Sequence, residues 1–488
     1  MRARWIFFLV AVVLLAGCGP EPLPQEKPDP PVEEPETPDN PPNPPNPPDP
    51  PEEPQEPEPE PEPDPAALLA ELREGGLLPP WQAGCLDIHS INGGRGESFY
   101  YIFPDGTTML VDAAGGSDWE VVGEDGSGIL SLPSTAYSSG NVIVRYIRNF
   151  APAGSAGLDY AMVSHFHGDH MGNFTNSFTK FGWRPVNRNG EPVTSINLDK
   201  GDFLLNGLPE VGFSLPFAKL IDRGEWDDRP SNVWLSAPGR RQNYYNFIDW
   251  TVRTNGTVRE SLAVGHTDQI VLNHDPGTYP SFEIRGIAAG GNVWTGSGTD
   301  VNTAWMPSSE EMMAHLEEWD PNENIMSCVF TLRYGAFDWF SGGDIQYNGR
   351  STYSWKDIEK PVSKVVQKVE AMKACHHSTS SANSTALLGA LRPDTYVIGV
   401  WTDNQPNPDT MKRLYAASPD VRVFATNMAD SRREALVAAG LDPDSFCTRS
   451  GHVVLRVLPG GESYYVIVLN DSDFSYTVRS VHGPFGCQ

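Results

Sequence analysis

Three histidines and an aspartate lie within a single heptapeptide of this chain. The stretch "SHFHGDH", from Ser164 to His170, contains three of the 11 histidines among 488 residues. It follows the apolar run "LDYAMV", which is typical of a buried strand. Several imidazoles and a carboxylate gathered at one point are costly to bury unless they share a cation. The segment therefore predicts a metal site at the end of a strand. A polar surface turn explains it poorly, because turns rarely concentrate histidine.

Four side chains of this heptapeptide can bind a divalent metal, namely His165, His167, Asp169 and His170. Neutral imidazole supplies a nitrogen ligand, and the carboxylate supplies a hard oxygen. A tight turn after a strand directs successive side chains to one region of space, so their spacing favours a shared site.

Predicted strands and helices are interspersed along the chain after residue 65. Apolar spacing and turn residues predict a short helix at "PAALLAELREGG" and strands at "LDIHS", "SFYYIF", "TMLVDA", "QIVLN", "SFEIRGIAA", "NIMSCVFTLRYG", "AFDWFSGGD", "DTYVIGVW" and "VRVFATN". Further patterns predict a helix over "IEKPVSKVVQKVEAMKA", a loop and a helix over "CHHSTSSANSTALLGAL", and a hairpin over "GHVVLRVLPGGESYYVIVLND". The strands come first, and the helices are interspersed among them without regular alternation. This order favours an α/β fold with mixed sheets over a regular doubly wound fold.

Taken in order, four segments resemble the metallo-β-lactamase superfamily of hydrolases. The first is the HxHxDH pattern after an apolar strand. The second is "FPDGTTMLVDAAG", which contains Asp112, and the third is "FDWFSGGD", which ends in Asp344. The fourth, "KACHHSTSSA", is similar to the "HHGS" element of the branch that contains the nuclease-like domain of competence membrane proteins. It departs from that branch at Ser378, where a glycine is usual. The resemblance covers the chain from about residue 86 to about residue 400.

The resemblance implies an αββα sandwich, in which two mixed β-sheets lie between helices, with a site for two zinc ions. The ligands it implies are His165 and His167 for one metal, Asp169, His170 and either His376 or His377 for the other, and Asp344 as the bridge. Asp112 is expected to orient a ligand rather than to bind metal. His266 in "VGHTDQ" stays open as a further ligand.

The chemistry implied by the resemblance is hydrolysis. Zinc would lower the pKa of a bridging water, and the resulting hydroxide would attack an ester, amide or phosphoester, with Asp169 orienting it and accepting its proton. Similarity to the competence-like branch favours a phosphodiester, in a small molecule or a polymer, while a lactone or a β-lactam stays open. The alternative from another class is a catalytically lapsed binding lipoprotein that keeps the fold as a scaffold.

The N-terminal segments predict export and attachment to a membrane. Residues 1–18 combine Arg2, Arg4, an apolar run of about eleven residues and "LAGC", which resembles the lipobox of bacterial lipoproteins, so Cys18 would carry the lipid. Residues 19–65 are nearly all Pro, Glu, Asp and Asn, which predicts an extended, disordered tether. Residues 66–488 would form the hydrolase domain with a C-terminal β-hairpin extension. The protein would then lie at the cell envelope, on the outer membrane if the cell is diderm.

The tether contributes about half of the formal charge of −28, because it contains about fifteen acidic residues and a single basic one, Lys27. The remaining chain has no basic stretch with interleaved aromatic residues, so strong nucleic-acid binding is not expected. Contact with the membrane is predicted to run through the lipid anchor only.

Five cysteines follow Cys18, and an odd number in an exported chain leaves at least one unpaired. Cys447 and Cys487 flank the C-terminal strands and are the first candidates for a disulfide. Cys375, beside two histidines, could instead be a buried free thiol.

Overall fold

The structure is a computed structural model that describes residues 64–115, 132–224, 238–302, 323–347 and 357–488. The predicted signal peptide with Cys18, and the predicted tether up to residue 63, lie outside the described residues. Within the described ranges, none of the helices has both the length and the apolar character needed to cross a membrane.

The regular elements are numbered here in chain order, for the described residues. The helices are α1 (Pro65–Glu71), α2 (Ser139–Phe150), α3 (Gly168–Met171), α4 (Leu208–Ser214), α5 (Pro238–Asn255), α6 (Glu359–Val362), α7 (Thr385–Leu391), α8 (Pro408–Ala417) and α9 (Asp430–Ala438). Short 3₁₀ helices cover Phe178–Phe181, Leu198–Lys200, Glu323–Met326, Cys375–Ser378 and Pro443–Ser445. The strands are β1 (Leu86–Ser90), β2 (Phe99–Ile102), β3 (Thr108–Val111), β4 (Leu158–Met162), β5 (Arg184–Val186), β6 (Phe203–Leu205), β7 (Phe217–Asp222), β8 (Val258–Ser261), β9 (Phe282–Ala289), β10 (Asn292–Trp294), β11 (Val301–Asn302), β12 (Val329–Tyr334), β13 (Phe337–Ser341), β14 (Ala371–Lys373), β15 (Thr395–Ile398), β16 (Arg422–Ala425), β17 (His452–Val457), β18 (Ser463–Leu469) and β19 (Val478–Gly486).

Two large mixed sheets contain nearly all of these strands. One has nine strands in the order β19-β18-β17-β1-β2-β3-β4-β7-β8, and the other has eight in the order β11-β10-β9-β12-β13-β14-β15-β16. The run β3-β4-β7-β8 is parallel in the first sheet, as is the run β13-β14-β15-β16 in the second. The predicted C-terminal hairpin is β17–β18, and β17 pairs with β1, so the hairpin is part of the nine-stranded sheet.

The alternation of side chains along the strands explains why the two sheets stack. Tyr101 and Met109 belong to an apolar cluster that they share with Trp339 and other residues of the second sheet. Their neighbours Tyr100 and Leu110 point the other way, into a cluster shared with helices. The indole Nε1–H of Trp339 donates to the Tyr101 hydroxyl across the interface at 3.2 Å. Strands buried on both faces need cover on both sides, which here is a sheet on one side and helices on the other.

Helices cover the outer face of each sheet. Tyr146, Val211 and Phe247 of α2, α4 and α5 pack against the nine-stranded sheet. Leu388 and Leu414 of α7 and α8 pack against the eight-stranded sheet. The order of layers is helix, sheet, sheet, helix, and the predicted αββα fold class is confirmed.

The predicted strand "QIVLN", residues 269–273, is wrong, because this segment forms no strand. Ile270 and Leu272 are buried, which accounts for the alternating pattern in the sequence. Its backbone, however, bonds to side chains instead of a neighbouring strand: the Val271 N–H donates to the Tyr160 hydroxyl at 3.2 Å. Burial and alternation therefore predicted an extended segment correctly but not its pairing.

The long helix predicted over residues 358–374 is also wrong beyond its first turn. Only Glu359–Val362 is helical, and Ala371–Lys373 forms the buried strand β14 between β13 and β15. The valines and Met372 have helical spacing, but pairing inside the second sheet outweighs this local preference.

The predicted disulfide between Cys447 and Cys487 is wrong, since both are free thiols, as is Cys375. The Cys447 N–H donates to the carbonyl of Val423 in β16, whereas the Cys487 N–H donates to the carbonyl of Glu462, just before β18. Cys375 is buried, in agreement with the sequence.

Trp339→Ala is expected to lower the free energy of unfolding by about 3–5 kcal/mol, because it leaves a cavity between the two sheets. Urea unfolding followed by far-UV circular dichroism measures this loss. Val437→Ala is the matched control, since Val437 is 57% exposed on α9 and contributes little to the core. Equal losses in the two variants would contradict the packing described for the sheets.

Candidate metal centre

The carboxyl ends of parallel strands from both sheets meet at one place. In the nine-stranded sheet, Asp112 follows β3 and the heptapeptide follows β4. In the eight-stranded sheet, Asp344 follows β13, while His376 and His377 follow β14. The loops after neighbouring parallel strands lie at the same edge of a sheet, which is where α/β sheets bind ligands. The fold therefore explains how residues far apart in the sequence share one site.

The glycine-rich turn "NGGRGES" packs against the heptapeptide. The heptapeptide leads into α3, for which His167 is the N-cap residue. Gly96 has a φ of +121°, and a Cβ at this position would lie 2.2 Å from the carbonyl oxygen of Asp169, so a side chain does not fit here. The N–H of Glu97 donates to the same carbonyl oxygen at 2.9 Å. The turn thus fixes the backbone that carries the ligands.

Four residues form a compact set in which one ligand atom of each lies within 4.8 Å of all the others: Asp169, His170, Asp344 and His377. The Nε2 of His170 lies 3.1 Å from Oδ2 of Asp344 and 3.4 Å from Oδ2 of Asp169. The Nε2 of His377 lies 3.4 and 3.3 Å from the same two oxygens. Two imidazole nitrogens and two carboxylate oxygens are a suitable ligand set for zinc or another divalent ion.

His165 and His167 form a second, more open group beside the compact set. The Nε2 of His165 lies 3.0 Å from Nδ1 of His167 and 3.9 Å from Oδ2 of Asp344. Nitrogen ligands at about 2.0–2.1 Å from a tetrahedral zinc ion lie about 3.3 Å apart. The two histidines are therefore spaced to share one metal, and Asp344 is the residue that connects them to the compact set.

The structure separates the two neighbouring histidines that the sequence left undecided. His377 belongs to the compact set, whereas the Nε2 of His376 lies 3.9 Å from Oδ2 of Asp344 and 3.3 Å from Nδ2 of Asn324. The Nδ1 of His376 lies 3.4 Å from the Ser381 hydroxyl. His376 therefore stands at the rim of the centre, next to it but outside the compact set.

Strained backbone places the His376–His377 pair. His376, His377 and Ser378 have φ values of 47°, 51° and 62°, a region that costs non-glycine residues about 1–3 kcal/mol each. The surrounding structure imposes this conformation, since the Asn383 side chain bonds both the N–H and the carbonyl of Cys375, at 3.0 and 2.8 Å. Ser378 thus adopts a left-handed conformation, which favours glycine.

Asp112 forms hydrogen bonds with two residues of the heptapeptide. Its Oδ1 accepts the N–H of Ser164 at 2.7 Å, and its Oδ2 accepts the Ser164 hydroxyl at 2.7 Å. The same Oδ2 lies 2.7 Å from Nδ1 of His170. An Nδ1–H donated to a carboxylate turns the Nε2 of an imidazole toward a metal and increases its basicity.

Electrostatics in the centre favours the binding of a cation. Burial holds the pKa of His165 well below its usual value, so this imidazole is neutral. Burial acts in the same direction on His170 and His377, but the carboxylates of Asp344 and Asp169 outweigh it and raise both pKa values. Although burial alone would raise the pKa values of Asp169 and Asp344, the neighbouring histidines hold them well below the usual range. Without a metal, protons on two histidines balance the two aspartates.

Two buried ligand atoms of the compact set, Nε2 of His377 and Oδ1 of Asp344, have charged neighbours at 3.3–3.7 Å in place of a well-formed hydrogen bond. Buried polar groups are nearly always satisfied, and an exception at a cluster of ligand types points to a site for an ion. The residues present therefore fit a divalent metal.

His266, which the sequence left open as a further ligand, lies outside the centre. Its side chain is 44% exposed, and its Nδ1 lies 3.2 Å from Oδ1 of Asp268. Its backbone lies between β8 and β9 in the chain, and its carbonyl accepts the N–H of Gly286 in β9 at 3.2 Å.

Sequence reasoning missed two buried ion pairs next to the centre. Arg223 pairs with Glu323 at 2.5 Å and stacks over the ring of Phe166, whose N–H donates to the same glutamate. Lys373 pairs with Glu97 at 2.7 Å. Neither glutamate lies in a motif, and the one available signal was the glycine-rich turn that contains Glu97.

Comparison with known proteins gives weak likenesses only. No protein-family model matches the chain, and no curated protein matches it. Among solved structures, the chain is similar to the zinc-bound PqqB of Methylobacterium extorquens, at 10% identity over 71% of this chain and 98% of that chain, with a TM-score of 0.33. It is similar to the metallo-β-lactamase fold protein YhfI of Bacillus subtilis, at 9% identity over 70% and 96%, with a TM-score of 0.30. A third is a mutant form of the β-hydroxylase CmlA, at 11% identity over 70% and 52%, with a TM-score of 0.35. Likenesses of this size say nothing about the chemistry of the site.

The affinity for Zn²⁺ is expected to rise with pH up to about 6.5, the ordinary pKa of histidine. In this range the raised pKa values keep His170 and His377 protonated in the metal-free protein, so zinc must displace their protons. Each displaced proton changes the apparent affinity by up to about tenfold per pH unit. Competition with a chromogenic chelator at several pH values measures the slope. His266→Ala should leave the slope unchanged, and an affinity independent of pH would contradict the protonation of the two histidines.

Proposed function

We propose that this protein is a metal-dependent hydrolase that uses two divalent ions, most simply zinc. The observation that supports this most directly is the position of Oδ2 of Asp344, which has the Nε2 atoms of four histidines within 3.1–3.9 Å. A single carboxylate oxygen surrounded by imidazole nitrogens from two sheets is suited to bridge two cations. A buried carboxylate held among imidazoles in this way contributes little to the stability of the fold.

The balance of charge in the centre favours two ions over one. Asp112, Asp169, Asp344 and Glu97 contribute four negative charges and Lys373 one positive charge, which leaves −3 when the histidines are neutral. Burial lowers the pKa of Lys373 to about 7, but the carboxylates of Glu97 and Asp344 at 2.7 and 3.7 Å favour its charged form. One divalent ion would leave −1 and two would give +1. Since uncompensated buried charge is costly, two ions together with an anionic nucleophile or substrate are the better match.

The residues of the centre have distinct roles in this proposal. When bound, the ions supply the Lewis acidity that lowers the pKa of water and offsets negative charge developing on an ester oxygen. Asp169 is the partly accessible member of the compact set, with 14% of its side chain exposed against 1% or less for His170, Asp344 and His377. It is therefore the carboxylate that can orient an attacking water and accept its proton. Asp112 holds His170 in the orientation that directs its Nε2 into the centre.

A phosphodiester is the first candidate substrate, in a small molecule or a polymer. The positive charge expected of the two-ion centre suits an anionic ester, and the "GGD" and "HHST" segments resemble the competence-like nuclease branch. The absence of a basic track in the sequence argues against tight binding of long nucleic acid. Carboxylic esters, lactones and β-lactams are the other substrate classes to compare.

We also propose that the hydrolase is held at the cell envelope by a lipid on Cys18 and by the Pro-rich tether. The sequence pattern of residues 1–65 supports this, with a positive start, an apolar run, "LAGC" and an extended acidic segment. Cys18→Ser is expected to remove the lipid and to shift the protein out of the membrane fraction of bacterial cells, as measured by fractionation and mass spectrometry. An unchanged membrane fraction would contradict the lipid anchor.

His165→Ala and Asp169→Ala are each expected to abolish hydrolysis and to lower the bound metal. Loss of the proton acceptor alone costs about 10²–10⁴-fold in rate. A panel of chromogenic phosphodiesters, carboxylic esters, lactones and β-lactams, with and without chelator, measures the activity and its dependence on metal. His266→Ala is the control and should retain full activity. Stoichiometric zinc without turnover of any ester class would instead favour a catalytically lapsed binding protein.

A further inference from the structure

A buried ion pair connects three of the four residues of the compact set. Glu97 and Lys373 are each 1% exposed, and Oε1 of Glu97 lies 2.7 Å from Nζ of Lys373. On the lysine side, Nζ lies 3.7 Å from Oδ1 of Asp344. On the glutamate side, Oε2 lies 3.2 Å from Nδ1 of His377, and the Glu97 N–H donates to the carbonyl of Asp169.

The contacts of Glu97 determine which nitrogen of His377 faces the centre. The Nδ1–H of His377 donates to the carbonyl of Gly399 at 2.8 Å, and the Glu97 carboxylate lies on the same side of the ring. Two acceptors at Nδ1 fix the proton there and leave Nε2 directed toward Asp344 and Asp169. A Cβ at residue 399 would lie 2.9 Å from Oε2 of Glu97, so a glycine at this position makes room for the carboxylate.

The contacts of Lys373 act on the other side of the pair. Its Nζ donates to the carbonyl of Gly343, the residue before Asp344, at 2.7 Å. It thereby contacts the backbone and the Oδ1 of the same ligand segment, while Oδ2 of Asp344 stays directed at the histidines. Lys373 also lies at the end of β14, three residues before His376.

We propose that Glu97 and Lys373 are positioning residues, a buried ion pair that fixes Asp344 and His377 relative to each other so that both can bind the same ion. This inference rests on the proposed function, because it specifies how the metal centre is held. A buried ion pair contributes little to stability compared with apolar residues of the same size. Because the pair lies between the ligands Asp344 and His377, its role is to position these ligands rather than to stabilise the fold.

The experiment compares Glu97→Gln with Asp87→Asn in the full chain. Asp87 is the matched control, since it is also a buried carboxylate paired with a buried cation, Arg456 at 2.6 Å, on a neighbouring strand. Both variants leave a cation unpaired and should lower the urea midpoint. Only Glu97→Gln should also weaken the binding of one equivalent of Zn²⁺, by about 10–100-fold. The same variant should change the visible absorption spectrum of the Co²⁺-loaded protein, which reports the ligand geometry.

The double variant Glu97→Gln, Lys373→Met separates positioning from folding. It removes both charges of the pair, so its urea midpoint should recover relative to Glu97→Gln, while the weak Zn²⁺ binding and the altered Co²⁺ spectrum should persist. Recovery of metal affinity together with stability would overturn the proposal, and so would a Glu97→Gln variant with normal affinity and spectrum. After either of these results, a wild-type chain that binds two ions and hydrolyses an ester would still support the proposed function, without the positioning role. A wild-type chain that binds no metal would overturn both.

Discussion

The structure of the centre depends on one buried carboxylate. Asp344 is 1% exposed, and its Oδ2 faces imidazoles that arrive after β4 in one sheet and after β14 in the other. A buried carboxylate surrounded in this way must be compensated, by protons on the histidines when no metal is bound or by cations when they are. The remaining features of the site serve to bring these groups together and to keep them there.

The sandwich supplies this convergence because the parallel parts of both sheets end at the same edge. The apolar layer between the sheets, which includes Trp339, packs the two sheets against each other. Around the ligands lies a shell of fixed polar contacts. Asp112 holds His170, and the Glu97–Lys373 pair contacts Asp344 and His377. The left-handed backbone at His376–Ser378 is the cost of presenting two adjacent histidines at this edge.

Much of the fold and the core of the site could be predicted from the sequence. The heptapeptide can be recognised in the sequence because its ligands are close together in the chain. Alternating or apolar runs identify most of the strands. The failures have a common physical cause, which is that partners far away in the sequence decide the outcome. Residues 371–373 have helical spacing but pair inside a sheet, and residues 269–273 alternate but bond to side chains. Glu97 lies in a turn with no ligand motif, so its role is visible only when Lys373 and His377 are placed beside it.

Anomalous X-ray diffraction at the zinc edge, on crystals of the zinc-loaded protein, tests the central claim most directly. The proposed function predicts two peaks that share Asp344, one beside Asp169, His170 and His377 and the other beside His165 and His167. The absence of any peak next to Asp344 in a protein that is otherwise folded as described would contradict the metal centre and the hydrolase built on it.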